Sequence, residues 1–157
     1  MGTYADLVKQ LLPGEETDFV GGVPETEIDA AEQTLGIRFP STFRAFLKEL
    51  GCGGISSEEF IGLGGPPHLD VVESTHWLRG RPFGFPMNLI PLRGDGFANF
   101  DCLNLDCWTG DECPVVEWVH DAPNMERRLL APNYGRWFAS ILQLIVEIDR
   151  EEEERRG

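Results

Sequence analysis

Four aspartates, Asp95, Asp101, Asp106 and Asp111, and three cysteines, Cys102, Cys107 and Cys113, fall within one short stretch of the chain. Their types suggest three chemistries. Two carboxylates at the right separation cleave glycosidic bonds, and Trp108 and Trp118 nearby suit a sugar. Oxygen donors in one loop, Asn104, Asp106 and Asp111, suit calcium, although their spacing departs from the EF-hand pattern. Thiols suit zinc, but the spacing here lacks the two tight pairs of a structural site and reads instead as free thiols in a reducing compartment. The general bases near neutral pH are His68, His76 and His120, with His120-Asp121 placed just after an expected strand. No Gly-x-Ser-x-Gly elbow, Walker loop, Gly-x-Gly-x-x-Gly turn or His-Glu-x-x-His helix accompanies them. Gly51–Gly54 offers backbone amides to an anion, yet no lysine follows and the surroundings are acidic, so it reads as a helix stop. No catalytic residue, cofactor or metal site emerges.

Charge is more informative. Against 13 Lys and Arg stand 27 Asp and Glu, a formal net charge of −14. Residues 94–126 contain no Lys or Arg at all. Such a field repels nucleic acid, whose phosphates require cations, and attracts and steers a basic protein. The expected partner-binding residues are Asp95, Asp101, Asp106, Trp108, Asp111, Glu112, Glu117 and Asp121. Solubility alone is the competing explanation of the acidity.

The elements that must position these residues follow from periodicity. Tyr4, Leu7, Val8, Leu11 and Leu12 predict a short amphipathic helix ending before Pro13-Gly14. Thr26 and Asp29 resemble a capping box for a helix through Ile28, Ala31 and Leu35 that Gly36 stops. Ser41 is the expected cap of the next, with Phe43, Phe46, Leu47 and Leu50 on one face. Strands are expected at Glu59–Leu63, Asn88–Leu92, Phe97–Leu103 and Val115–Val119, with Asp95-Gly96 as a hairpin turn and Asn99 and Asp101 on the solvent side. A short helix is expected over Asp70–Arg79. A longer one begins near Tyr134, capped by Asn133, with Trp137, Phe138, Ile141, Leu142, Leu144, Ile145 and Ile148 on its apolar stripe. The acids from Asp149 to Glu154 oppose that helix dipole, so a frayed tail over 151–157 is expected after a single domain over 1–150. No apolar run reaches membrane-spanning length and Met1–Leu12 lacks signal-peptide features, so the expected location is cytoplasmic.

In order along the chain, several pieces resemble the SUKH superfamily of Smi/Knr-type regulators and bacterial immunity proteins. They are Ile28, Ala31-Glu32, Leu35-Gly36, Phe39-Pro40, Phe43, Phe46-Leu47 and Gly51–Gly54, then Ile90-Pro91, Asp95-Gly96-Phe97, Asn99-Phe100, Cys102–Leu105, Pro114–Val116, His120-Asp121, Leu130-Ala131 and Trp137-Phe138. The resemblance covers residues from about 24 to 148; the segment before Pro24 does not align. It implies an α+β fold, a mixed, mainly antiparallel sheet of about 4–6 strands with N-terminal helices and a long C-terminal helix packed on it. It also implies a non-catalytic immunity protein that neutralises a cognate toxin, expected to be a basic nuclease. A regulatory module for an endogenous partner is the alternative. The family brings no catalytic residues, and its motif positions are mostly core and turn.

Overall fold

The computed structural model describes residues 3–122 and 126–157. Helix α1, Tyr4–Leu11, starts at Thr3, whose hydroxyl accepts from the Asp6 N–H, and stops just short of Pro13. Helices α2, Glu25–Leu35, and α3, Ser41–Glu49, each begin directly after a proline. Pro24 and Pro40 occupy the cap positions, so Thr26 lies inside the first turn of α2 and Ser41 is the first residue of α3. Neither is the cap that its type suggests. A proline there fixes φ near the helical value without supplying a side-chain acceptor. Gly36 does close α2 in the left-handed region.

A two-stranded hairpin, β1 Gly53–Ile55 and β2 Glu58–Phe60, follows α3. Helix α4, Val71–Arg79, is capped by Asp70, whose carboxylate accepts from the Val72 and Glu73 amides. The main sheet is an antiparallel meander in the order β3-β4-β5-β6: Leu89–Gly94, Phe100–Asn104, Val115–Trp118 and Leu129–Ala131. Helix α5, Tyr134–Arg156, takes its first-turn bond from Asn133 and remains helical through the acidic stretch expected to fray. With helices and antiparallel sheets segregated along the chain, this is an α+β fold.

Both faces of the main sheet are covered, and this overturns the expectation of a half-exposed β4. On one face Ile90, Leu92, Leu103 and Val115 belong to the same core cluster as the buried residues of α1, α3 and α5. The other packs Leu89, Cys102, Val116 and Trp118 against Leu78 and Phe85. The main core is strongly aromatic. Phe60 and Phe138 lie 4.9 Å apart between ring centres, Phe43 and Tyr134 5.0 Å, and Tyr4 stands edge-on to Phe138 at 5.1 Å. Such pairs contribute about 0.5–1.5 kcal/mol each beyond their buried area. The glycine cluster at Gly51 is a packing requirement: Gly51 has φ +74°, and any Cβ on Gly62 would strike its carbonyl.

Candidate functional site

The eight residues expected on a partner-binding face divide among four environments. Asp101 is interior. It is 8% exposed, its Oδ2 accepts from the Trp137 indole N–H at 3.0 Å, and it pairs with Arg93 at 3.1 Å. Arg93 also holds Glu58 with contacts of 2.9 and 2.8 Å, so this guanidinium ties β2, β3 and β4 together, and the indole adds α5. A carboxylate removed from water this far requires such partners. The reason for the discrepancy is the second cover on the sheet: once Cys102 faces the Trp118 cluster, its neighbour Asp101 must face α5.

Asp95 and Asp121 stand at one end of the sheet. The turn between β3 and β4 spans Asp95 to Asn99, longer than the two-residue hairpin that Asp95-Gly96 suggests, because the Asp95 carboxylate organises it. Oδ1 accepts from the Phe97 N–H at 2.7 Å and the Asn99 N–H at 3.2 Å, and Oδ2 from the Asn99 side-chain amide at 3.0 Å. Partial burial opposes ionisation of Asp95, but these bonds outweigh it and hold the carboxyl below its ordinary value. Asn99 Oδ1 in turn accepts from the His120 backbone N–H at 3.1 Å, which ties the loop carrying Asp121 to this turn. Phe97 projects from the tip, 78% exposed.

Asp106, Trp108, Asp111 and Glu112 lie at the opposite end of β4, a five-residue strand that spans about 17 Å. The loop carrying them is docked on the corner between α2 and α3. Glu112 does what neither Pro40 nor Ser41 can: its carboxylate accepts from the Thr42 N–H at 3.1 Å and from the Thr42 hydroxyl at 2.8 Å, at the positive end of α3. The Ser41 N–H donates to the Asp111 carbonyl at 3.0 Å. Arg38 stacks on the Trp108 ring at 3.9 Å and reaches the Asp111 carboxylate at 3.9 Å. Asp106 is exposed and accepts from the Asn88 amide at 2.9 Å. Glu117 is half-buried on β5 and reaches Arg128 at 3.5 Å. The acids therefore form two exposed groups, Asp95 with Asp121 and Asp106 with Asp111, instead of one continuous face.

The chemistries suggested by the residue types do not assemble. Cys102 and Cys113 point to opposite faces of the sheet. Burial pushes the Cys113 thiol up to about 12, with Arg38 pulling slightly the other way, while Cys107 is exposed. Asp95 is held in its turn and Asp101 is saturated by Arg93 and Trp137. His120 lies beside Asn99 Oδ1 at 3.1 Å and edge-on to Phe83. Among the described residues no three His, Cys, Asp or Glu side chains gather to hold a metal ion. No helix there is long and apolar enough to cross a membrane.

Two concave surfaces escaped the sequence reading. Glu15, Glu16 and Asp18 meet Glu59 around a cleft of about 520 Å³ floored by Gly54, Ser56 and Ser57. The first three acids were visible as a polar loop, but their meeting with Glu59 depends on Asp18 bonding the Gly54 amide across β1. A second groove, about 420 Å³, runs along α4 between Trp77 and Phe100.

The SUKH_5 family model, described as SMI1-KNR4 cell-wall, matches residues 4–143. The chain belongs to the SUKH family. The match includes α1 and the loop after it, which the motif comparison had left outside. A crystal structure of a protein from Pseudomonas syringae pv. tomato resembles this SUKH chain with a TM-score of 0.55 and 25% identity, over 74% of this chain and 83% of that one.

Proposed function

We propose that this SUKH protein is a cytoplasmic immunity protein that binds a basic toxin, a nuclease being the class that fits best, and neutralises it by covering its cationic cleft. The observation carrying the proposal is the acidic stretch at residues 94–126, free of Lys and Arg, whose exposed carboxylates are presented by loops already braced by internal hydrogen bonds. A nuclease must bind phosphate with cations, and a prefolded acidic surface competes for them without loss of loop entropy on binding. Asp106 and Asp111 with the edge of Trp108, or Asp95 and Asp121 flanking Phe97, supply the contact; Asp101 and Glu112 serve the fold. No bond is made or broken in this account.

Co-expression with the product of the adjacent gene tests it. A stable complex that restores growth against that product supports the proposal; no complex and no protection oppose it. The family's description as cell-wall favours a second reading, a regulatory module for an endogenous partner. A gene neighbourhood without any toxin, together with capture of a cell-wall-assembly protein, would select that reading.

A further inference from the structure

Glu73 and Trp77 stand four residues apart on α4 and so share one face of the helix. Both line the 420 Å³ groove, together with Ile61, Pro67, Phe100 and the buried Leu78. Trp77 is 53% exposed, while Leu78 beside it is 1% exposed. The groove therefore offers an apolar trough, a half-exposed indole and a carboxylate one helical turn away. Among the described residues no Lys or Arg lines it. The cation nearest the indole is Arg81, whose guanidinium covers one face of the Trp77 ring at 4.4 Å and leaves the other to an incoming group; Arg93 is held by Glu58 and Asp101. Glu59, at 3.4 Å from the His68 ring at the rim, adds a further negative group.

That combination selects a particular occupant. An anion meets the Glu73 carboxylate there, and a purely aliphatic side chain leaves that carboxylate unused. A guanidinium on an aliphatic stem satisfies all three parts: the stem lies along Ile61, Pro67 and Leu78, the planar head stacks on the indole, and its N–H groups reach the carboxylate. The molecule already shows that this indole accepts such a group, since the Arg81 guanidinium sits over the Trp77 ring at 4.4 Å. We propose that the α4 groove receives an arginine side chain of a basic protein partner. This rests on the reading that the partner is basic, and it places one anchor of the contact on a surface distinct from the acid-bearing loops.

The four tryptophans provide the probe, because each indole N–H gives its own signal in a proton–nitrogen correlation spectrum. The protein is titrated with amidated hexa-arginine and hexa-lysine peptides at roughly physiological salt, which damps long-range attraction. The expected result is that hexa-arginine shifts the Trp77 indole and the Ser74 and Leu78 amides, leaves Trp118 and Trp137 in place, and binds more tightly than hexa-lysine. Trp77→Ala should weaken hexa-arginine by about two- to fivefold, and Glu73→Gln by up to about fivefold, with the Ser74 and Leu78 amides as readout. Both residues are exposed, so the fold is kept. Shifts confined to the Trp108 loop or to the Glu15–Asp18 cleft would overturn the groove assignment and leave the acidic-surface reading standing. Unchanged affinity in both variants would do the same. Failure of either peptide to bind, together with failure to bind the adjacent gene product, would overturn both.

Discussion

Replacing Asp101 with alanine separates a residue that holds the fold from one that meets a partner. The substitution removes one member of a largely buried pair, whose side chains are 16% and 11% exposed, a change that costs about 3–5 kcal/mol. Arg93 keeps Glu58 at 2.8 Å, which places the pair near the lower figure. The Trp137 indole N–H loses its acceptor at 3.0 Å, adding about 1–3 kcal/mol. A total of about 4–6 kcal/mol lowers Tm by about 8–24 °C at roughly 2–4 °C per kcal/mol for a chain of this size. Asp101→Asn keeps an oxygen for the indole and should lose about half as much. The control is Asp111→Ala, whose 76% exposed side chain meets Arg38 only at 3.9 Å; it should stay within about 1 kcal/mol. Urea denaturation with a common m-value measures all three. A loss below about 1 kcal/mol for Asp101→Ala would refute the buried-acceptor reasoning and return Asp101 to the surface set.

Other outcomes follow from the same geometry. Glu112→Ala should cost about 1–3 kcal/mol, since it deprives α3 of its borrowed cap; chemical denaturation checks this, and a neutral result would contradict the cap. In native buffer at about pH 8 a thiol reagent should modify Cys107 quickly, while the buried Cys52, Cys102 and Cys113 wait for unfolding; a second fast thiol would contradict the burial of the sheet faces. Asp95 has a carboxyl lowered from 3.8 by its turn bonds after burial is overcome, so its stabilisation is complete above the unfolded value and is lost as pH falls through the folded one. Asp95→Asn should therefore flatten the acid side of the stability profile below about pH 5, and an unchanged slope there would contradict the bonding assigned to that turn.

Helices with a local side-chain cap or a clear stop were legible in the sequence. For α5 the Asn133 cap and the first turn agree, although Leu144 and Ile148 of its expected stripe stay exposed; for α4 only the span was expected, and its Asp70 cap emerges from the structure. The start of α3 was misread because its first-turn acceptor is Glu112, distant in sequence and brought close only by the β4–β5 loop. Strands β1 and β6 carry three residues each with no alternation to read; hydrogen bonds to neighbours define them. The acids were legible as a charge, not as a surface. A count of carboxylates cannot show that Asp101 turns inward onto Trp137, that Glu112 caps a helix, or that a five-residue strand separates the remainder into two groups. Nor can it show that Glu59 joins Glu15, Glu16 and Asp18 across a cleft.

The claim that this chain acts as a prefolded acidic binder is tested most directly by the association rate with the adjacent gene product, followed by stopped-flow fluorescence across a series of salt concentrations. Electrostatic capture requires a fast rate at low salt that falls steeply as salt rises, with dissociation little changed and the toxin's activity lost in proportion to complex formed. A rate indifferent to salt, or a toxin inactivated in excess of the protein added, would contradict it.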